Sequence, residues 1–247
     1  MGASIGGLDS TYDLVFRLLS QSSLKQVARE IHPPIALSSS STVLRNEIIR
    51  FVSRNYGEKA TIFYPALTKL ILDNVGTRHL SSDLEEPSGE EDLKPLMRRA
   101  IRGLEFEVYD REVRIPPATR ADMVGYRRRG TRHITKKWLG LRSETETEWW
   151  YEFLGVELKT AKRGKDPMYR QASVYAQYFD NAFTAVTPLT LLEQGYDFFR
   201  SFYKEMKDKG IGIVLTTENR VLGTILASKE NPPSVSKRRY LYREMNL

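Results

Sequence analysis

The first third of the chain carries apolar residues at helical spacing. Between residues 9 and 75 they recur every three or four positions, for example at Val43, Leu44 and Ile48, which is the spacing of an amphipathic helix. Pro33-Pro34 interrupts the pattern. We therefore predict a small helical N-terminal module over residues 1–80, built either as a plain helical bundle or around a helix-turn-helix pair.

The pattern changes after residue 80. Residues 81–90 (SSDLEEPSGE) are acidic, polar and broken by Pro and Gly, a composition typical of a linker. An apolar stripe from Leu93 to Leu104 then predicts an amphipathic helix that ends near Gly103.

Short apolar and alternating runs follow, as expected for strands mixed with helices. Strands are predicted over residues 106–115, 120–126, 149–160, 182–186, 211–216 and 220–227, and helices over 168–179 and 191–207. This order predicts an α/β domain over residues 91–247, with a central mixed sheet flanked by helices.

Composition narrows the chemistry. The 247 residues include no Cys and only three His, which excludes disulfides, a thiol nucleophile and cysteine-based zinc sites. No apolar run approaches the ~20 residues of a membrane helix, so no membrane partner is expected. The N-terminus lacks a secretory signal pattern, and we expect a cytoplasmic protein, located with the nucleic acid of the cell.

Charge is concentrated in one stretch of the sequence. The chain has 38 Lys and Arg against 31 Asp and Glu, a net charge of +7. Residues 127–142 contain seven basic residues and no acidic one. Such a run is either a solvated loop or a phosphate-binding surface; we interpret residues 127–148 as a basic insertion. The candidate phosphate-binding residues are Arg127, Arg128, Arg129, Arg132, Lys136, Lys137, Lys162, Arg163, Lys165 and Arg170.

Three charged residues stand within predicted strands. Asp122 lies in one strand, and Glu157 and Lys159 lie two residues apart in another, so the latter two share a face. Charges among apolar neighbours are costly unless they are used or paired. Two carboxylates on adjacent strands suit a hard divalent cation, whereas an isolated Glu-x-Lys is more often a surface ion pair.

The order of these residues resembles the motif set of the PD-(D/E)XK nuclease superfamily. The resemblance rests on Asp122, the run Glu157-Leu158-Lys159, and a following helix with Gln171 and Tyr175 (QASVY), as in RecB-type nucleases. It implies a restriction-endonuclease-like core in which the two carboxylates bind Mg²⁺ or Mn²⁺ and the lysine acts at the nucleophile. Gln171 and Tyr175 would support that catalytic group.

Two further features enter this comparison. Glu90 matches the helix carboxylate of Holliday-junction-resolvase-like members, which implies an additional metal ligand or an orienting carboxylate, and the C-terminal stretches resemble MmcB-like repair proteins. The chain departs from the family pattern in two ways: Ala121 replaces the usual proline, and 157 − 122 = 35 residues separate the two carboxylates. We attribute the long separation to the basic insertion.

The sequence therefore predicts a metal-dependent endo- or exonuclease that hydrolyses DNA, in repair, recombination or defence. A non-catalytic nucleic-acid-binding protein on the same scaffold, or a regulator that uses the N-terminal helices, is the alternative. The sequence leaves open whether the chain forms a homodimer.

Overall fold

The structure is a computed structural model of the chain. It describes residues 15–30, 37, 40–56, 77–117, 119–138, 142–160, 168–194 and 196–247. The helices are α1 (Gln21–Glu30), α2 (Ser41–Tyr56), α3 (Thr77–Asp83), α4 (Glu90–Gly103), α5 (Met168–Tyr178), α6 (Pro188–Gln194), α7 (Tyr196–Lys209) and α8 (Val235–Met245). None of the helices in these ranges is long and apolar enough to cross a membrane.

The strands form a central sheet and a small ribbon. They are β1 (Glu107–Tyr109), β2 (Val113–Ile115), β3 (Thr119–Ala121), β4 (Met123–Trp138), β5 (Arg142–Lys159), β6 (Asn181–Val186), β7 (Gly212–Thr216) and β8 (Val221–Leu226). The six-stranded sheet has the order β1-β4-β5-β6-β7-β8, and β2 pairs with β3 separately. The β5-β6 and β6-β7 pairs are parallel and the others antiparallel, so the predicted mixed sheet is confirmed.

Helices cover both faces of the sheet. Alternate residues of β5 point to opposite faces because the side-chain period of a strand is two. On one face Leu154 and Val156 join the apolar stripe of α4 in a buried cluster that includes Leu93. On the other face Phe153 joins a second cluster, which includes Tyr175 of α5 and apolar residues from α1 and α2. The N-terminal helices thus share a core with the sheet.

Some predicted elements differ from the structure. Predicted strand 106–115 is two strands, because the chain turns between β1 and β2 and only β1 joins the central sheet. Predicted helix 191–207 is covered by two helices, α6 and α7. The strands predicted over 211–216 and 220–227 are confirmed as β7 and β8, which pair antiparallel.

The predicted insertion 127–148 lies in a long β-hairpin. Strands β4 and β5 pair from Met123 opposite Val156 to Trp138 opposite Arg142. A β-bulge shifts the register between Arg128 and Gly130, where Gly130 has a φ of 155°. Most of the 35-residue separation of Asp122 and Glu157 therefore lies in paired residues of β4 and β5.

The predicted linker, residues 81–90, contacts the rest of the molecule. Its first residues complete α3, and Leu84 is fully buried. The Glu218 amide donates to the Glu85 carbonyl at 2.9 Å, and the Thr187 hydroxyl donates to Glu86 at 2.7 Å. This segment therefore packs against the ends of β6 and β7. The division into domains stays a prediction.

Candidate functional site

Asp122 and Glu157 meet where β4 begins. Asp122 occupies the single position between β3 and β4, and the first β4 residue pairs with Val156. The Leu158 amide donates a hydrogen bond to Asp122 Oδ2 at 2.8 Å. Strand register therefore places Asp122 beside Glu157, which is only 1% exposed.

The two carboxyl groups interact unfavourably when both are ionised. The pKa of Asp122 is raised from 3.8 to about 7, mainly by burial and then by the Glu157 charge, with a smaller contribution from a hydrogen bond with Glu157. The Leu158 amide and the Lys159 charge act in the opposite direction. Such a rise is expected when a carboxylate is desolvated beside a like charge. A bound cation would remove this repulsion.

Lys159 lies between three acceptors. Its Nζ atom is 2.6 Å from Glu157 Oε1, 3.1 Å from Gln171 Oε1 and 3.7 Å from Glu90 Oε1. Burial lowers the pKa of Lys159. The attraction of the Glu157, Glu90 and Asp122 carboxylates outweighs this effect, so the pKa lies above its usual value. Lys159 is therefore a cation at neutral pH and acts as a hydrogen-bond donor.

Helix α5 supports the carboxylate pair from one face of the sheet. Gln171 and Tyr175 are four residues apart and share a helical face; Gln171 contacts Lys159, and the Tyr175 hydroxyl contacts Glu157 Oε2 and the Arg120 carbonyl. Burial, followed by the Glu157 and Asp122 charges, raises the Tyr175 pKa. Tyr175 therefore keeps its proton, which it can donate to one of the two oxygens at a time.

Glu90 reaches the site from the first turn of α4. It is 8% exposed and the first residue of the helix, a position where a negative charge is favourable. Its Oε1 atom lies 3.7 Å from Lys159 Nζ. The sequence-predicted carboxylates and lysine thus converge, but Glu90 is beside the lysine, and its role as an additional metal ligand stays a prediction.

The two carboxylates suit an ion such as Mg²⁺, which takes few of its ligands from the protein. No group of three or more His, Asp or Glu side chains placed to hold a metal occurs in the described ranges. Mg²⁺ is commonly held by one or two carboxylates, with water and phosphate oxygens as its remaining ligands. Asp122 and Glu157 supply two carboxylates, and their mutual repulsion favours a shared cation.

The predicted phosphate-binding residues fall into three groups. Arg127 and Arg129 both pair with buried Glu152, Arg127 Nε at 2.8 Å from Glu152 Oε2; their attraction outweighs the effect of burial and lowers the Glu152 pKa. Arg128, Arg132, Lys136 and Lys137 lie along β4, and Arg170 lies in the first turn of α5. Lys162, Arg163 and Lys165 lie outside the described residues.

The sequence did not indicate several polar partners that the structure brings together. The Leu158 amide and the Arg120 carbonyl act through the backbone, which leaves no residue-type signal. Asp180, 1% exposed, pairs with Arg238 of α8, with Oδ1 at 2.6 Å from Nη2. The sequence signal for this ion pair was an acidic residue, Asp180, directly before the buried strand β6.

Comparison with known proteins adds no further assignment. The chain matches no family model, no curated protein and no solved structure.

Proposed function

We propose that the protein is a metal-dependent nuclease that hydrolyses phosphodiester bonds of DNA on a restriction-endonuclease-like core. One observation carries the proposal: the carboxylates of Asp122, which directly precedes β4, and of Glu157 in β5 meet beside the ammonium group of Lys159. Paired carboxylates with a neighbouring cation suit the attack of water on a phosphate ester.

Each residue has a defined part in this proposal. A bound Mg²⁺ or Mn²⁺ would lower the pKa of a water molecule and offset charge on the phosphate. Asp122 and Glu157 would hold the ion, and Lys159 would donate hydrogen bonds to the attacking water or a phosphate oxygen. Gln171 holds Lys159 in position and Tyr175 holds Glu157, each through a hydrogen bond. Both residues belong to α5, so the helix determines where their side chains lie.

A metal-binding measurement tests whether Asp122 and Glu157 form an ion site, and it needs no activity assay. The thermal midpoint of the wild-type protein should rise with Mg²⁺ or Mn²⁺ concentration, since a ligand that binds only the folded state stabilises it. The rise should disappear in Asp122→Ala and remain in Asp110→Asn, a control at an exposed carboxylate. Equal shifts in the wild type and Asp122→Ala would refute the proposed ion site.

Cleavage tests the second step. Labelled single-stranded, duplex, splayed and branched DNAs are incubated with Mg²⁺ or Mn²⁺ and the wild type, Glu157→Ala or Lys159→Ala. We expect cleavage only by the wild type, with salt-sensitive DNA binding retained in both variants. Full cleavage by purified Glu157→Ala protein would contradict the assignment.

A non-catalytic binding protein is the second candidate, and the Lys159 contacts favour it. Lys159 already lies 2.6 Å from Glu157 and near Glu90, so the charges form an ion network that can be structural, and such networks also shift pKa values. This candidate predicts DNA binding without a metal-dependent thermal shift and without cleavage.

A further inference from the structure

The ribbon formed by β2 and β3 presents two arginine side chains to solvent. Val113, Ile115 and Ala121 are buried and belong to the core cluster that contains Tyr175. Alternate residues of a strand point to opposite faces, so Arg114 and Arg120 lie on the outer face of the ribbon, and both are exposed. We call these two residues the arginine pair.

The two members of the arginine pair stand directly opposite each other. Opposite side chains in an antiparallel ladder have their Cβ atoms ~4.5–5.5 Å apart, and like charges in that position destabilise the strand pair. Within the described ranges Arg120 has an acidic partner, with its Nη1 atom 3.1 Å from Glu112 Oε2, whereas Arg114 forms no ion pair there. A bound anion would offset the remaining repulsion.

The arginine pair lies beside the proposed ion site. Arg120 precedes Asp122 by two residues, about 7 Å of extended chain. The hydroxyl of Tyr175 contacts both the Arg120 carbonyl and the Glu157 carboxylate. One tyrosine side chain therefore connects the main chain of the ribbon with the carboxylate pair.

Helix α8 adds further basic residues near Arg114. Burial, followed by the Glu244 charge, raises the pKa of Tyr240 in this helix, and the Arg114 charge acts in the opposite direction. Arg114 therefore lies near α8. On the same helix Arg239 and Arg243 are exposed and four residues apart, hence on one helical face. Exposed arginines thus continue from the ribbon onto α8.

The base of the β4-β5 hairpin is less suited to an external anion. Arg127 and Arg129 both pair with the buried Glu152 carboxylate, so their charge is already partly neutralised within the protein. Arg114 forms no such pair with a described carboxylate. Of these arginines, Arg114 is therefore the one best placed to bind a phosphate.

We propose that Arg114 and Arg120 together hold one backbone phosphate of the DNA, next to the bond that is cleaved. A guanidinium group donates two parallel hydrogen bonds to phosphate oxygens, and two guanidinium groups on paired strands can bind different oxygens of one phosphate. Such a contact positions the backbone and carries no sequence information. The inference rests on the proposed function for its choice of DNA as the ligand.

Arg114→Gln and Arg102→Gln form a matched pair of variants, because each removes one exposed positive charge. Arg102 is in the last turn of α4, 102 − 90 = 12 residues from Glu90, which is about 18 Å along the helix. Binding of a labelled 30-base-pair DNA is measured by fluorescence anisotropy in EDTA. At 0.1 M salt we expect Arg114→Gln to weaken binding about three- to tenfold and to reduce the salt slope by about 1, as for loss of one phosphate contact. Arg102→Gln should weaken binding less than twofold.

A double variant tests whether the two arginines share one phosphate. Arg120→Gln alone should also weaken binding. The combination of Arg114→Gln with Arg120→Gln should weaken binding by less than the product of the two single effects, because both changes remove the same contact. An effect equal to the product would overturn the shared phosphate. Unchanged thermal midpoints in the metal-free variants serve as the folding control.

A second duplex of unrelated sequence should give the same fold-changes, because phosphate contacts do not read the bases. Three further results would overturn the inference: equal effects of Arg114→Gln and Arg102→Gln, an effect of Arg114→Gln confined to one of the two duplexes, or no DNA binding by the wild type.

Failure of this inference is distinguishable from failure of the proposed function, because DNA binding is measured without metal. A wild type that binds DNA through the arginine pair but cleaves no DNA would support the inference and contradict the catalytic assignment. Arg114→Gln should keep the metal-dependent thermal shift, which depends on Asp122.

Discussion

Replacement of Asp122 by asparagine tests the electrostatics of the carboxylate pair in the metal-free protein. The pKa of Asp122 is about 7 against an ordinary value of 3.8, so the folded protein binds this proton more tightly than the unfolded chain. The stability associated with the protonated group is full below pH 3.8 and is lost as the pH rises through 7. Asparagine stays neutral and keeps an oxygen for the Leu158 amide.

The magnitude follows from the pKa difference. Between the unfolded and folded pKa values, ionisation costs ~1.4 kcal/mol of folding free energy per pH unit, and the cost levels off above pH 7. From pH 5.5 to pH 8.5 the wild type should therefore lose about 2 kcal/mol relative to Asp122→Asn. Groups that do not interact with Asp122 cancel in this difference.

Urea unfolding in EDTA at the two pH values measures the effect. We expect the stability of Asp122→Asn minus that of the wild type to increase by about 2 kcal/mol at the higher pH. The exposed control Asp110→Asn should show no such change. A constant difference between Asp122→Asn and the wild type would refute the raised pKa of Asp122.

Three further substitutions test the surroundings of the site. Arg238→Gln leaves the buried Asp180 carboxylate without its cation and should cost about 3 kcal/mol in urea unfolding. Gly155→Ala would place a Cβ atom 2.2 Å from the Phe179 ring, so we expect a loss of about 1–3 kcal/mol from overpacking. Tyr175→Phe removes the hydroxyl that contacts Glu157; we expect a loss of about 1–2 kcal/mol and reduced cleavage.

Controls for these variants come from comparable positions. Arg239→Gln, at an exposed neighbour of Arg238, should change stability by less than about 0.5 kcal/mol. Gly103→Ala has no atom within 4 Å of the added Cβ and should be tolerated. Unaltered cleavage and stability in the tyrosine variant would show that its hydroxyl does not support the carboxylate.

Local pattern was sufficient for elements with an apolar face. The stripe from Leu93 to Ile101 predicted α4, and the helical spacing of Gln171 and Tyr175 predicted that both belong to one face of α5. Aromatic and branched residues at 149–160 predicted the buried half of β5, where consecutive residues are buried because both faces of the strand are covered. In each case the residue types and their spacing are local, so the signal is in the sequence itself.

Residues 127–148 were harder to predict because they are rich in charged and polar residues and lack an apolar stripe. Such a composition also fits a solvated loop. Pairing between β4 and β5 gives these residues their order, and the bulge near Gly130 sets which positions are opposite each other. The run of basic residues therefore lies in a β-hairpin.

The sequence alone determined which chemistry was available: paired carboxylates, a lysine, no cysteine, and an α/β order of elements. Tertiary structure decided which groups meet. The pairing of Met123 with Val156 brings Asp122 beside Glu157, and α4 brings Glu90 to Lys159. Charge pairing at Glu152 also decided that Arg127 and Arg129 contact protein. Such contacts depend on strand register and helix packing, which are set by residues distant in the chain.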